Sequence, residues 1–526
     1  MTPFANWTFF GLLLLYAALP ILVLGLLGKA SAKWCFIITL PILVLVFAQR
    51  DNTVLRLAGA HLPDVGGAML TRPWTSTVNG IEFSPLYLFL FCVAWQLWVP
   101  FAFLRWKSNR TFYIAMALTL LPLGTSKLMP FVSHESAFGF LGISYVTFRA
   151  LDVVFSIRDG VVKSLAPGQL FAFLFFFPTV SSGPIDRYRR FGQDWVKART
   201  RAEFLDDLDF AIQRVMRGFL YKFIIAAEID RHLRVPLLKT TGFWGDAGYM
   251  YVYTFYLFFD FAGYSAFAVG ISRLMGIKSP ENFSLPFLAR NIRDFWTRWH
   301  ISLSFWFRDH IHMRFQLAAV KGKWFKGKHT ASYLGLFLTF GLMGIWHGLA
   351  FHYIFYGFYH ATLLCGYDVF ARWNKKAKVW GDGPWWRALN IGITFHFIAL
   401  GMLLFSGRLT PPPPPPYEAV YEEADYIAVS GYVWDKDKPA KVVAVDVYVD
   451  HVWVARGNCD VPRPGLRVRG YGDGVIGFRI ELPAWLRDGR THAVEVRHAE
   501  EYRLIGKSKS IVFPNELPPA PEPPNR

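Results

Sequence analysis

Two histidines lie where an ionisable side chain is costly and could move a proton. His347 closes the run Gly341-Leu342-Met343-Gly344-Ile345-Trp346-His347-Gly348, near the end of an apolar stretch. In a bilayer such a group is a functional candidate by default. An imidazole titrates near neutral pH, so it can take the proton of a hydroxyl and make it a nucleophile. Gly344 and Gly348 would let another chain come close to it. A structural histidine bonded to a carbonyl of a neighbouring helix fits the same run, which does not choose between the two.

The second histidine, His300, belongs to Phe295-Trp296-Thr297-Arg298-Trp299-His300-Ile301-Ser302-Leu303-Ser304-Phe305-Trp306-Phe307-Arg308-Asp309-His310. At helical spacing Trp299, Ser302 and Trp306 share one side, and Arg298 and Asp309 lie away from it. Such a surface, with Arg308 adding a cation, could sit at the cytoplasmic interface and receive an anionic, phosphate-bearing donor. An interfacial amphipathic helix with an aromatic belt is the other reading, and composition alone favours it.

The elements that must position these residues are membrane helices. The 526 residues are 53% hydrophobic and 18% aromatic against 18% charged, too apolar for a water-soluble globule. Of 56 Lys/Arg and 38 Asp/Glu, 15 and 17 fall from Tyr417 onward, which leaves 41 and 21, an excess of +20, in the apolar part. Basic loops between apolar segments account for that excess, and nucleic-acid binding is not implied. Cys35, Cys92, Cys365 and Cys459 are too scattered for a disulfide framework or a metal site.

Apolar stretches of roughly 17–25 residues can cross a bilayer as helices. They occur near Phe9 to Leu27, Trp34 to Ala48, Pro85 to Leu104, Thr111 to Leu128, Phe138 to Phe155, Phe210 to Ile229, Gly248 to Met275, Tyr333 to Leu349, Phe351 to Phe370 and Leu389 to Phe405. The first has no basic lead or cleavage site and reads as a retained helix. Leu170 to Val180 is short and runs into Ser181-Ser182-Gly183-Pro184, so a broken or re-entrant element is expected there. The expected fold class is an all-α polytopic membrane protein of about 10–11 crossings with re-entrant and interfacial helices.

Basic loop residues place the N-terminus outside and the segment after the last helix on the outer face. Pro411 to Pro416 is a stiff polyproline spacer. Beyond it Ile427 to Trp434, Val442 to Val449, Val452 to Val454, Val475 to Leu482 and His492 to Val496 read as short strands of a small β-sandwich. The expected organisation is therefore 1–409 membrane core, 410–416 linker, 417–514 β-sandwich and 515–526 disordered tail.

Six segments, in order between Phe9 and Leu409, carry a resemblance. They are Gly142 to Arg149 (Gly-Ile-Ser-Tyr-Val-Thr-Phe-Arg), Phe177 to Arg187, Asp260 to Ser265, Pro280 to Phe283, the Trp299-His300 stretch and Trp346-His347-Gly348. Together they resemble the membrane-bound O-acyltransferase superfamily, MBOAT. The wording is most similar to the bacterial Dlt-type branch that moves D-alanine onto teichoic acids, with the alginate and cellulose acetylation proteins as relatives.

The resemblance implies an enzyme of the bacterial cytoplasmic membrane that transfers an acyl group, D-alanyl or acetyl, from a thioester to a hydroxyl. The donor would be a phosphopantetheine carrier-protein thioester or acyl-CoA on the cytoplasmic side, with no bound cofactor and no metal. The acceptor would be an exported polysaccharide or an outer-face partner acyltransferase, with membrane lipid around the core. His347 falls on the family's near-invariant histidine and would deprotonate the acceptor. His300 falls on its second histidine and would position or polarise the donor. Trp346, Trp299, Arg298, Ser302, Arg308 and Asn282 are candidate donor-binding residues, and Asp260, Ser182, Pro184 and Asp186 candidate structural or tunnel residues; for Asn282, as for Asp260, fixing helices by hydrogen bonds is the favoured role. Asp186 and Arg187 could pair at the end of the broken segment, although a structural turn is the favoured reading there. D-alanine-branch proteins usually stop near Phe405-Ser406-Gly407, so the added domain, with Trp434, Trp453 and Trp485 read as exposed, leaves the acceptor open. A glycan or lipid transporter without a covalent step is the rival class.

Overall fold

The computed structural model describes residues 14–48, 76–78, 81–83, 85–128, 142–238, 240, 242–410, 417–435, 442–450, 452–499 and 504–515. The proline run and the expected disordered tail beyond residue 515 lie outside these residues. The chain divides into two compact units, Met1–Pro411 and Pro412–Arg526.

Among its described residues the first unit is helical, apart from the small hairpin β1 (Ser76–Val78) and β2 (Ile81–Phe83). Its helices are α1 (Leu19–Leu26), α2 (Ala32–Ala48), α3 (Pro85–Arg105), α4 (Asn109–Leu128), α5 (Ile143–Arg158), α6 (Pro167–Leu174), α7 (Tyr188–Trp195) and α8 (Arg201–Phe219). There follow α9 (Phe243–Leu274), α10 (Ile292–Trp296), α11 (Ile301–Phe307), α12 (Met313–Lys321), α13 (Thr330–His347), α14 (Phe351–Ala377) and α15 (Pro384–Phe405). Thr200 and Glu203 form a reciprocal capping box that starts α8, satisfying two backbone donors that its first turn leaves free. Along α8 and the π turn after it, Ile212, Met216, Phe219 and Phe223 are exposed. An apolar stripe of that kind is unfavourable in water and stable against lipid.

Among the described residues, α4, α9 and α15 are long and apolar enough to cross a membrane by length and composition. Other expected crossings fall on helices that are shorter or more polar. For example, α14 carries Asp368, Arg372, Lys375 and Lys376 in its second half. The segment expected to be broken is α6, eight residues long, followed by a 3-10 turn at Phe177–Thr179. At 1.5 Å per residue such a helix spans about 12 Å, far short of a bilayer. Leu170, Ala172, Leu174 and Phe175 are fully buried, so the interrupted backbone lies inside protein.

Arg149 of α5 makes that interruption possible. Its guanidinium, 1% exposed, donates to the carbonyls of Phe173 at 3.1 Å, Leu174 at 3.2 Å and Thr179 at 2.8 Å, and to the Thr179 hydroxyl. These carbonyls lie where α6 ends and no helical donor reaches them.

The Asp186–Arg187 ion pair, the less favoured of the two readings, does not form. Arg187 sends its guanidinium to Asp152 and Asp309, both at 2.9 Å, and to His310, while Asp186 pairs with Arg190 one turn further on. Adjacent residues in an extended stretch point apart, so each finds a different partner. Only the Arg187 backbone N–H reaches the Asp186 carboxylate, at 2.7 Å.

The second unit contains two four-stranded sheets, ordered β10-β9-β5-β6 and β3-β4-β8-β7, with all pairs antiparallel. The strands are β3 (Tyr417–Ala424), β4 (Ala428–Asp435), β5 (Ala444–Val449), β6 (Val452–Asn458), β7 (Val461–Pro462), β8 (Val475–Glu481), β9 (Thr491–His498) and β10 (Leu504–Val512). Val429, Val433, Phe478 and Ile480 of one sheet and Val445, Val447, Val494 and Val496 of the other belong to one buried cluster. Trp453 and Trp485 are exposed as expected, but Trp434 is half-buried, its ring 4.7 Å from that of Tyr471.

His492 gives this unit a pH dependence. Nδ1 lies 2.5 Å from Asp450 and Nε2 2.9 Å from Asp488, and these two carboxylates raise the imidazole above its usual 6.5. A raised folded-state pKa stabilises the fold fully below the unfolded value and loses that contribution as pH climbs through the raised value. Thermal melts of residues 412–526 should therefore show Tm falling as pH rises above about 6.5. H492Q should flatten that limb, and an unchanged limb in H492Q would refute the assignment.

Candidate active site

His347 is the last residue of α13, and Gly348 takes the chain out of the helix in extended backbone. The pairing of α13 with α14 is close because it is made at glycines. A Cβ on Gly344 would collide with the carbonyl of Tyr353, and one on Gly357 with that of Phe340. The close approach expected at Gly344 is thus made by the backbone of α14. His347 packs between Trp346, ring centroids 4.4 Å apart, and Phe405 of α15 at 4.9 Å, and it remains partly accessible.

His300 is placed differently from the expectation. The stretch from Phe295 to His310 is not one helix: α10 ends at Trp296, α11 begins at Ile301, and His300 between them has φ 44° and ψ 49°. Histidine is among the residues that tolerate this left-handed region. The turn is fixed from outside, since the Ile301 N–H donates to the Asn282 carbonyl at 3.0 Å and the Ser284 N–H to that of Arg298 at 3.0 Å. Trp299 and Ser302 therefore come to be buried together through a turn, and not through a shared helical face.

Asn282 and Ser302, candidate donor contacts, spend their polar atoms inside the protein. Ser302 Oγ donates to Asn282 Oδ1 at 2.6 Å and accepts from the Ile185 N–H at 2.9 Å, while Asn282 Nδ2 donates to Ser265 of α9 at 3.1 Å. Their work is to tie α9, the end of the broken segment and α11 to the turn that carries His300. Ser182 and Pro184 lie in that same bend, where Ser181 bonds the Tyr264 hydroxyl of α9. Asp260 pairs with Lys222 across α9 and the π turn after α8, a structural contact. Arg298 is engaged by Asp294 at 2.7 Å and the Ser284 carbonyl at 3.3 Å. Arg308 is held by Asp309 at 2.8 Å with its guanidinium 4.3 Å from the centre of the Phe305 ring.

Trp346 stands between the two histidines. Its ring centroid is 6.4 Å from that of His300, and Phe148 and Tyr145 of α5 flank it at 5.6 and 6.3 Å. Trp346 Nε1 and His300 Nδ1 are buried and have no hydrogen-bond partner among the described residues. Buried polar atoms left open in this way are costly unless a bound molecule engages them.

One residue of the site escaped the sequence reading. Lys127, next to the end of α4, donates from Nζ to the Trp346 carbonyl at 2.7 Å and to the His347 carbonyl at 3.4 Å. A cation there satisfies the free carbonyls of the last turn of α13 and opposes the negative end of its dipole. The signal available in the sequence was a lone ionisable residue at the end of an apolar run.

With a partly accessible imidazole, a second imidazole, and an indole N–H left open on the tryptophan that contacts both, the site can take a proton from a hydroxyl and hold a polarised carbonyl. Residues 147–404 match the model of MBOAT, the membrane-bound O-acyltransferase family. The chain is 43% identical over 422 residues to a teichoic acid D-alanyltransferase of Bacillus subtilis (strain 168), covering 78% of this chain and 98% of that protein. It is 42% identical over 352 residues to a teichoic acid D-alanyltransferase of Streptococcus thermophilus, covering 63% and 85%. A probable alginate O-acetylase of Pseudomonas aeruginosa is 32% identical over 286 residues, covering 53% of this chain and 51% of that protein.

Proposed function

The chain belongs to the membrane-bound O-acyltransferase family and is an acyltransferase, and on that premise we propose that it passes a D-alanyl or acetyl group from a cytoplasmic thioester to a hydroxyl at the cell envelope. The donor is a phosphopantetheine thioester on a carrier protein, or acyl-CoA. The acceptor is an exported polysaccharide, or a partner acyltransferase that completes delivery on the outer face. The relatives' names point to teichoic acid and alginate as the kinds of polymer concerned.

The observation that supports this most is the pair of imidazoles on either side of Trp346, with His347 the more accessible of the two. His347 takes the hydroxyl proton as the oxygen attacks the thioester carbonyl. A C–O bond forms, the C–S bond breaks, and the departing thiolate takes up the proton that the His347 imidazolium releases. His300, held in its left-handed turn by Asn282, orients the donor end. A thiolate is a good leaving group, and general base catalysis by one imidazole contributes about 10²–10⁴-fold.

In this reading the core crosses the bacterial cytoplasmic membrane about 10–11 times, with the N-terminus outside and the C-terminal unit on the outer face. That unit is an addition to the D-alanyltransferase plan, because the alignment uses 98% of the Bacillus protein and only 78% of this chain. It serves to hold the acceptor or a partner.

Proteoliposomes carrying the full chain test the proposal. Radiolabelled acyl-phosphopantetheine is supplied on one side, and alkali-labile ester on a polyol acceptor is measured. The expected result is labelled ester; movement of acceptor across the membrane with no ester formed would favour the transporter and refute acyl transfer.

A further inference from the structure

We propose that Lys127 binds the acceptor, its ammonium gripping a phosphate or carboxylate carried beside the hydroxyl that His347 deprotonates. The inference rests on the acyl-transfer reading above and adds to it the residue that recognises the acceptor's charge.

Lys127 is half-buried at the end of a helix apolar enough to cross a membrane, a place where an ammonium is expensive to keep. It is held against the backbone of Trp346 and His347, so its charge lies within a residue's breadth of the candidate base. An ammonium has three donors. The Trp346 carbonyl takes one at 2.7 Å, the His347 carbonyl takes another weakly at 3.4 Å, and the third is not used by either.

Charge balance sets Lys127 apart from two other cations of the membrane unit. Arg408, just past α15, is matched by Asp246 at 2.6 Å, and Lys222 is matched by Asp260. Among the described residues Lys127 has no carboxylate partner, only carbonyl dipoles. A partly desolvated cation with dipoles alone around it gains most from an anion arriving with the substrate. Lys127 and His347 are each partly accessible, and on this proposal the acceptor's anion meets the ammonium while its hydroxyl meets the base. An acceptor with its anion next to the reacting hydroxyl is thereby oriented as well as bound, and orientation counts directly in the rate.

The test compares the full-length wild type, K127M and K127R in proteoliposomes, with acyl-phosphopantetheine as donor. The acceptors are glycerol 1-phosphate, methyl glucuronoside and glycerol, which separate phosphate, carboxylate and no charge. Wild type should favour at least one anionic acceptor over glycerol in kcat/KM. That preference should fall about tenfold in K127M, equivalent to about 1.4 kcal/mol, and largely return in K127R. The ratio is taken within each protein, so loss of folded enzyme cancels, and a purely structural lysine would lower every acceptor alike. A preference unchanged in K127M, or absent from wild type, overturns the inference. A wild type that esterifies none of the three acceptors instead overturns the acyl-transfer reading on which it rests.

Discussion

H347A is expected to lower kcat for acyl transfer by about 10²–10⁴-fold, the range that a positioned general base supplies. The effect should fall on kcat with KM little changed, because the imidazole is needed when the proton leaves and contributes little to holding the donor. Folding should survive. His347 sits at the end of α13, partly accessible, with ring contacts to Trp346 and Phe405. The α13–α14 pairing that fixes it is made at Gly344 and Gly357. Thermal stability in detergent measured beside activity separates the two effects.

The second large effect concerns stability. R149M should destabilise the membrane unit by several kcal/mol, since each buried carbonyl left without its donor costs about 1–3 kcal/mol. The methionine fills much of the space but donates nothing, so the carbonyls of Phe173, Leu174 and Thr179 lose their donor inside protein. A fall in Tm on the order of 10 °C in detergent is expected, with activity lost alongside, since the same bend ends at Ile185 on the Ser302–Asn282 network. A Tm within 2 °C of wild type, taken as about the resolution of a melt, would show that Arg149 does not brace the broken segment.

The sequence made some of this legible and hid the rest for identifiable reasons. Trp346-His347-Gly348 could be read because a histidine in an apolar run has few innocent explanations. The break at residues 170–180 could be read because the run is too short to cross and ends in Ser-Ser-Gly-Pro. The turn at His300 could not: no glycine or proline marks it, and its cause is the Asn282 carbonyl, which captures the Ile301 N–H. Local spacing therefore extended a helix through the very residue where the chain turns.

Lys127 was hidden for a similar reason. At the end of an apolar helix a lysine reads as a side chain reaching for the interface, and only a contact 219 residues away joins it to Trp346. In the second unit the runs read as strands became β4, β5, β6, β8 and β9, whereas the two-residue β7 and the longer β3 and β10 were passed over. The longer two are instructive. Both are edge strands rich in charge, with Glu418, Glu422 and Glu423 on one and Lys507 and Lys509 on the other. Charges on an edge discourage pairing with another chain, and the same charges make the strand look like a loop.

The central claim, that His347 carries the proton in thioester-to-hydroxyl transfer, is tested most directly with H347Q in the reconstituted full-length protein. Glutamine keeps a polar side chain of similar reach but cannot accept a proton at neutral pH. With radiolabelled acyl-phosphopantetheine and a polyol acceptor, H347Q should form labelled ester as slowly as H347A while melting at the wild-type temperature. Ester formed by H347Q at the wild-type rate would contradict the account.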